Sequence, residues 1–433
     1  MNNSDLIKFF LQIAVMLSCA LIMGKAMQKF RQPAVLGELI GGVILGPTIL
    51  GLLFPDIYHW LFLSSQEVGI LRDASIKMGM LFFLFIAGLE INFSKGNHIG
   101  KYAFFIGSFG TILPIGLGFA LVHLIPSHFW GEIAEKNLSI FGLFIGINLA
   151  NSANPVIIRI LQDLKLLDKE IGAITMTATV VDDVIIWILF AMMLSVSTIQ
   201  TSEFMLGTGS TIVLILIFFI LMLTLGRWFA PKALRFIRKT LMWPTGFIAF
   251  TTVAILLTSS VTELIGIDAF LGAFLLGAIV AGKHPEAEEA HAVISQFVMA
   301  FFAPIYFVSI GMKTNFVANF DFPLVLILLI FAIFSKFSAV LIGAKIGGMK
   351  IDHYTLAIAS GLNARGATGI ILAGIGLSQG LIDERIFVAL FVMAVTTSLI
   401  AGPLMTYFLK QKVNKSSVEA EISSSPIPEK NIN

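Results

Sequence analysis

Two adjacent carboxylates stand in the middle of a long apolar run, Asp182 and Asp183 in TATVVDDVIIW. An aspartate at the centre of a membrane helix opposes insertion by roughly 2.5 to 3.5 kcal/mol, so ionisable groups at that depth are by default functional and partnered. Adjacent residues on a helix point ~100° apart. The two carboxylates therefore make different contacts, one meeting a partner while the other faces a cavity. The best candidate partner is Lys336 in FAIFSKFSAVLIGAK, also near the middle of an apolar run and set among phenylalanines. Burial and ion pairing shift the titration of carboxylates and ammonium groups in opposite senses. Such a set titrates as a coupled group and can trade protons for a small cation.

Two polar interruptions accompany the acids. In GINLANSANPVIIRIL, Asn148, Asn151, Ser152, Asn154 and Pro155 gather in a span whose other residues are mostly apolar. Pro155 lacks a backbone donor and disfavours helix just before itself, so the helix is expected to open near Asn154. A matching break lies in ASGLNARGATGIIL, with Gly361, Asn363, Arg365, Gly366 and Gly369. Glycine and proline often serve only close packing in membrane helices, and Arg365 has a structural reading as the group that holds a crossing or offsets a helix dipole. Two polar breaks in corresponding places, one beside an aspartate pair and one carrying an arginine, point further. Unwound backbone at membrane depth is tolerated only where protein or a water-filled cavity surrounds it, which makes Ser152, Asn154, Pro155, Asn363 and Arg365 candidate lining of a site.

The elements that must position these residues are membrane helices. The chain has 433 residues, 57% hydrophobic and 12% charged, with a mean hydropathy of +0.93, against roughly 25% charged in an ordinary soluble domain. Apolar runs long enough to cross a bilayer predict an all-α membrane protein of about thirteen spans, near 5–24, 34–53, 73–91, 102–124, 138–161, 171–195, 208–229, 244–264, 267–282, 293–311, 322–346, 354–379 and 385–409. The broken spans are the fifth and the twelfth. They are an odd number apart and so run in opposite directions, the arrangement of inverted repeats whose two broken helices cross at the midplane and frame an ion or substrate site. Loop lysines and arginines gather on alternate loops, the other set holding only Arg72, Lys136, Lys313 and Arg385. The positive-inside rule then puts the N-terminus outside and the C-terminus in the cytoplasm. Residues 410–433 are polar and rich in Ser and Pro, and are expected to form a disordered cytoplasmic tail.

Other classes are disfavoured. A net charge of +2 makes no case for nucleic acid, and the lone Cys19 excludes an internal disulfide. Neither Gly-x-Gly-Asp nor His-Glu-x-x-His occurs, so an intramembrane protease has no motif to stand on. The chain is expected not to be an enzyme and to need no cofactor.

The string GLFIGINLANSANPVIIRILQDLKLLDKEIGAITMTATVVDDVIIWIL resembles the core of the bacterial sodium/proton exchanger superfamily, specifically its second cation:proton antiporter family, including the membrane part of Kef-type transporters without their nucleotide-binding domain. The resemblance extends through PAVLGELIGGVILGPTILGL, SKFSAVLIGAK and GLNARGATGIILA. It implies that Asp183 binds cation (Na+ or K+) and proton alternately, and that Asp182 pairs with Lys336 in an electrogenic cycle. It also implies a homodimer in the bacterial cytoplasmic membrane, formed by one membrane domain over residues 1–409. The moving core would occupy about 73–195 and 322–409, and the remainder would serve dimerisation and scaffolding. Relatives often carry Thr-Ser before the proline of the first break, where this chain has Ala153-Asn154, so the choice among sodium, potassium and lithium stays open. A cation-coupled symporter of a small organic solute, or a sensor without transport, is the alternative. The inner-loop stretch GKHPEAEEAH, with His284 and His291, reads as a solvated charged loop or as a pH sensor.

Overall fold

The computed structural model describes residues 3–29, 34–63, 65–89, 97–167, 169–199, 217–218, 220–241, 245–264, 269–280 and 292–424. Among these residues the ordered elements are helical and no strand occurs. That follows from the solvent, because in a bilayer each backbone polar group must be satisfied within its own segment or within a closed barrel.

The helices used below are α1 (Asn3–Lys29), α2 (Ala34–Leu45), α3 (Gln66–Leu89), α4 (Asn97–Leu124), α5 (Leu138–Ala150), α6 (Asn154–Asp163), α7 (Glu170–Ile199), α8 (Arg227–Thr240), α9 (Thr245–Leu264), α10 (Ala269–Val280), α11 (Ala303–Gly311), α12 (Phe322–Gly347), α13 (His353–Leu362), α14 (Gly366–Ser378) and α15 (Glu384–Ser424). Eight helices are long and apolar enough to cross a membrane among the described residues. Each expected span other than 208–229 has a helix in its place; most of 208–229 lies outside the described residues. Spans five and twelve are each split into two half-helices, α5 with α6 and α13 with α14.

Helix α15 runs on to Ser424, past Lys410, through the stretch KQKVNKSSVEAEISS, which has no proline before Pro426. A helix already nucleated in the membrane propagates through such residues without a new nucleation cost.

The helices form two sets of contacts. Helix α4 packs against α5, α7 and α12, while α13 packs against α15. The second set pairs α1 with α2, α2 with α11, and α3 with α10. Both sets rely on glycine: in the first, a Cβ on Gly146 would lie 2.5 Å from the Ile115 carbonyl oxygen, and in the second the approach is closer still. A Cβ on Gly42 would lie 2.1 Å from the Val308 carbonyl oxygen, and one on Gly277 would lie 2.1 Å from that of Phe85. Small residues that let backbones approach are how membrane helices associate where lipid removes the hydrophobic drive.

Candidate functional site: a carboxylate pair at the crossing of two broken helices

Helix α5 ends at Ala150 and α6 begins at Asn154, with Pro155 in its first turn. Proline is favoured there because its missing N–H would have no intrahelical partner anyway. Helix α13 ends at Leu362 and α14 begins at Gly366. The two gaps bind each other directly. The Ala153 N–H donates to the Ala364 carbonyl at 2.7 Å, the Ser152 hydroxyl donates to the Leu362 carbonyl at 2.8 Å, and the Asn151 carboxamide donates to the Arg365 carbonyl at 3.3 Å. Gly366 sits at φ +41°, and a Cβ there would meet Val156 at 2.7 Å and Ala153 at 2.8 Å. Glycine is thus required at the crossing both for its conformation and for the closeness of the opposing chain. Its N–H is taken up by the Ser398 hydroxyl at 2.8 Å.

Arg365 is fully buried. Its guanidinium donates to the Leu149 carbonyl from Nε at 3.2 Å and from Nη2 at 2.6 Å. It also reaches the Ala332 carbonyl at 2.7 Å, and the Asn363 carbonyl at 3.0 Å and Oδ1 at 2.7 Å. Asn363 in turn donates to the Ile333 carbonyl at 3.1 Å. Leu149 lies in the last turn of α5, where unpaired carbonyls concentrate negative partial charge. A five-donor planar fork is suited to gathering carbonyls from α5, α12 and the α13–α14 gap around one point.

The paired acids lie on α7 beside this crossing. Asp182 is buried with its carboxylate 2.9 Å from the Lys336 Nζ, both side chains being 1% exposed. The Thr111 hydroxyl of α4 donates to the other Asp182 oxygen, and Lys336 also donates to the carbonyl of Ala150, the last residue of α5. Lys336 thus joins the first acid to the negative end of a half-helix. Asp183 is half-buried and accepts from the Asn154 carboxamide at the start of α6. The two acids therefore divide as their ~100° separation requires: Asp182 turns to α4 and α12, Asp183 to the opening of α6.

Asp182 pairs with Lys336, Arg365 is engaged by carbonyls, and Asp183, the less buried of the two acids, meets the Asn154 amide at the opening of α6. The carbonyl oxygens of Asn148, Asn151 and Asn154 are buried without a hydrogen-bond partner. That of Asn154 belongs to the amide whose nitrogen donates to Asp183, and carboxylate and amide oxygens are hard donors of the kind alkali and alkaline-earth cations take. Among the described residues no group of three or more His, Cys, Asp or Glu side chains is placed to hold a metal ion.

The structure brings together Asp182, Asp183, Lys336, Ser152, Asn154, Asn363 and Arg365, with Pro155 in the same opening. His284 and His291 lie outside the described residues. Sequence reading missed Thr111, the hydroxyl donor to Asp182, because a threonine in an apolar helix carries no signal until the facing helix is known. It also missed Ser398, which holds the Gly366 N–H, for the same reason.

The family described as sodium/hydrogen exchanger, transmembrane, matches residues 13–411. The chain belongs to that family. Among curated relatives, this exchanger is 29% identical over 408 residues to the Na(+)/H(+) antiporter NhaS4 of Synechocystis sp., covering 94% of this chain and 98% of the relative. It is 29% identical over 409 residues to the probable Na(+)/H(+) antiporter GerT of Bacillus cereus, covering 93% of this chain and all of the relative. Cation/H(+) antiporter 17 of Arabidopsis thaliana is 30% identical over 436 residues, and the exchanger spans half of that longer protein. Its fold matches the sodium proton antiporter MjNhaP1 of Methanocaldococcus jannaschii at a TM-score of 0.65 and 15% identity, covering 94% and 97% of the two chains.

Proposed function

We propose that this exchanger moves a monovalent cation, sodium first among the candidates, against protons across the bacterial cytoplasmic membrane by alternating access. The observation that carries the reading is the buried Asp182–Lys336 pair beside a half-buried Asp183, all set where two broken helices cross. Proton and cation compete for Asp183, because neutralising one buried carboxylate by either removes the gain from the other. Binding one releases the other. The Asn154 carbonyl oxygen completes the cation's coordination, and the Arg365 network fixes the crossing while the site changes the side it faces. Asp182 and Lys336 take up or release a second proton during the cycle, which makes the exchange electrogenic. Helices α3 to α7 and α12 to α15, covering about 73–195 and 322–409, form the moving core, and the remaining helices belong to the scaffold, through which two copies pair. The N-terminus faces outward and the C-terminus faces the cytoplasm, as the loop charges indicate.

The test uses everted vesicles energised by respiration, from a host without its own exchangers, with a pH dye reporting proton release on addition of sodium, potassium or lithium. Wild type is expected to dissipate the gradient and to rank the three cations. Asp183→Asn is expected to abolish the response while remaining in the membrane at normal abundance. Normal activity of Asp183→Asn overturns the assignment of that residue, and silence of the wild-type protein toward all three cations turns the reading to a solute symporter or sensor. Asp182→Asn is expected to retain some exchange but to lose its acceleration by an imposed membrane potential, measured in proteoliposomes with valinomycin.

A further inference from the structure

A cavity of about 440 Å³, lined by none of the residues of the crossing, opens between α3, α8, α9 and α10. Its walls are apolar, with Phe85 on α3, Leu234 and Ile237 on α8, Phe247 and Ala254 on α9, and Ile279 on α10. Along α9 the lining continues from Phe247 to Val261, about 21 Å at 1.5 Å per residue. The cavity is a groove comparable in length with much of the ~30 Å hydrocarbon core.

Helix α8 forms one wall and has two faces. Leu234 and Ile237 are buried toward the groove. Lys232, Arg235, Arg238 and Lys239 are exposed, and the segment RWFAPKALRFIRKT contains no acidic residue. Trp228, Phe229 and Phe236 are also more than half exposed, and the Lys232 Nζ lies 3.0 Å from the Trp228 ring centroid. A helix with an apolar face, a basic face and aromatic side chains between them is built to lie at the boundary of headgroups and acyl chains. Each lysine or arginine near an anionic surface adds to that attraction.

We propose that α8 and this groove form a binding site for one anionic phospholipid, an acyl chain lying along α9 and the phosphodiester held at the basic flank of α8. Charge selects the occupant: a zwitterionic lipid fills the groove equally well but gains little from the exposed basic flank that holds Lys232, Arg235 and Lys239. The site is independent of ion exchange, so Asp183→Asn retains the lipid as wild type does.

The test is native mass spectrometry of the delipidated full-length protein after addition of phosphatidylglycerol or phosphatidylcholine, with thermal unfolding measured alongside. Phosphatidylglycerol is expected to stay bound at collision energies that strip phosphatidylcholine, and to raise the unfolding midpoint by a few degrees, as any ligand of the folded state does. Replacing Lys232, Arg235, Arg238 and Lys239 together by Gln, all on an exposed face, removes the preference. Ala254→Trp, which fills the groove, removes retention of both lipids. Equal retention of the two lipids by wild type, or an undiminished preference in the neutralised variant, overturns the proposal. So does a groove-filled variant that keeps its lipid and instead falls from dimer to monomer, which would give the groove to a second copy of the chain.

Discussion

The crossing of the half-helices and the contacts of α2 with α11 and α3 with α10 face one problem and share one device, a glycine where chains meet closely, but differ in what else they use. Both must hold helices together in a solvent as apolar as their own side chains. At Gly42 and Gly277 the chain removes side chains altogether, so that backbone meets backbone with no room for a Cβ. At the crossing it inserts a fully buried arginine, a buried lysine and two aspartates, and ties unwound carbonyls and N–H groups together with them. Close packing can hold a helix pair but offers nothing for an ion to compete with. The polar solution costs insertion energy and provides a charge that can be exchanged.

The sharpest way to break the comparison is to remove one member of the buried ion pair. Lys336→Ala leaves Asp182 buried with its charge unbalanced, and is expected to cost about 3–5 kcal/mol, read as a fall in thermal midpoint in detergent. Asp182→Asn combined with Lys336→Met removes both charges and is expected to recover most of that loss. A double variant no more stable than Lys336→Ala would show that charge balance is not what the lysine supplies. In the glycine set, Gly277→Ala forces a methyl group toward the Phe85 carbonyl and is expected to cost about 1–3 kcal/mol as overpacking, with the cation ranking of wild type preserved. A changed ranking would mean that the two regions are not separable. The smallest expected effect is at Ser152. Its hydroxyl bond to the Leu362 carbonyl is one of several across the crossing, so Ser152→Ala should cost about 1 kcal/mol and slow exchange only modestly.

The parts of this arrangement legible in the sequence are those carried by residues that are costly to bury. Asp182, Asp183, Lys336 and Arg365 announce themselves because an ionisable group in an apolar run demands a reason, and Pro155 and Gly366 mark breaks because they cannot continue a helix at no cost. The less costly residues are silent. Thr111 and Ser398 look like any hydroxyl that bonds its own helix backbone, as Thr111 does to the Gly107 carbonyl and Ser398 does to that of Ala394. Only because another helix is present does Ser398 also accept from the Gly366 N–H and does Thr111 share its single proton between Gly107 and Asp182.

By itself, the sequence determined that the chain is a helical membrane protein, where its helices break, and which ionisable groups lie at membrane depth. Those properties follow from the cost of burying charge in hydrocarbon and from the fixed backbone chemistry of proline and glycine. Which acid takes the lysine was only implied by resemblance, and the tertiary structure supplies the contact that decides it. Two adjacent aspartates on α7 are equivalent as sequence, and the packing of α7 against α4 and the crossing turns Asp182 to Thr111 and Lys336 and leaves Asp183 to Asn154. That division arises from distance and direction between helices far apart in the chain, 154 residues in the case of Asp182 and Lys336, and no local pattern encodes it.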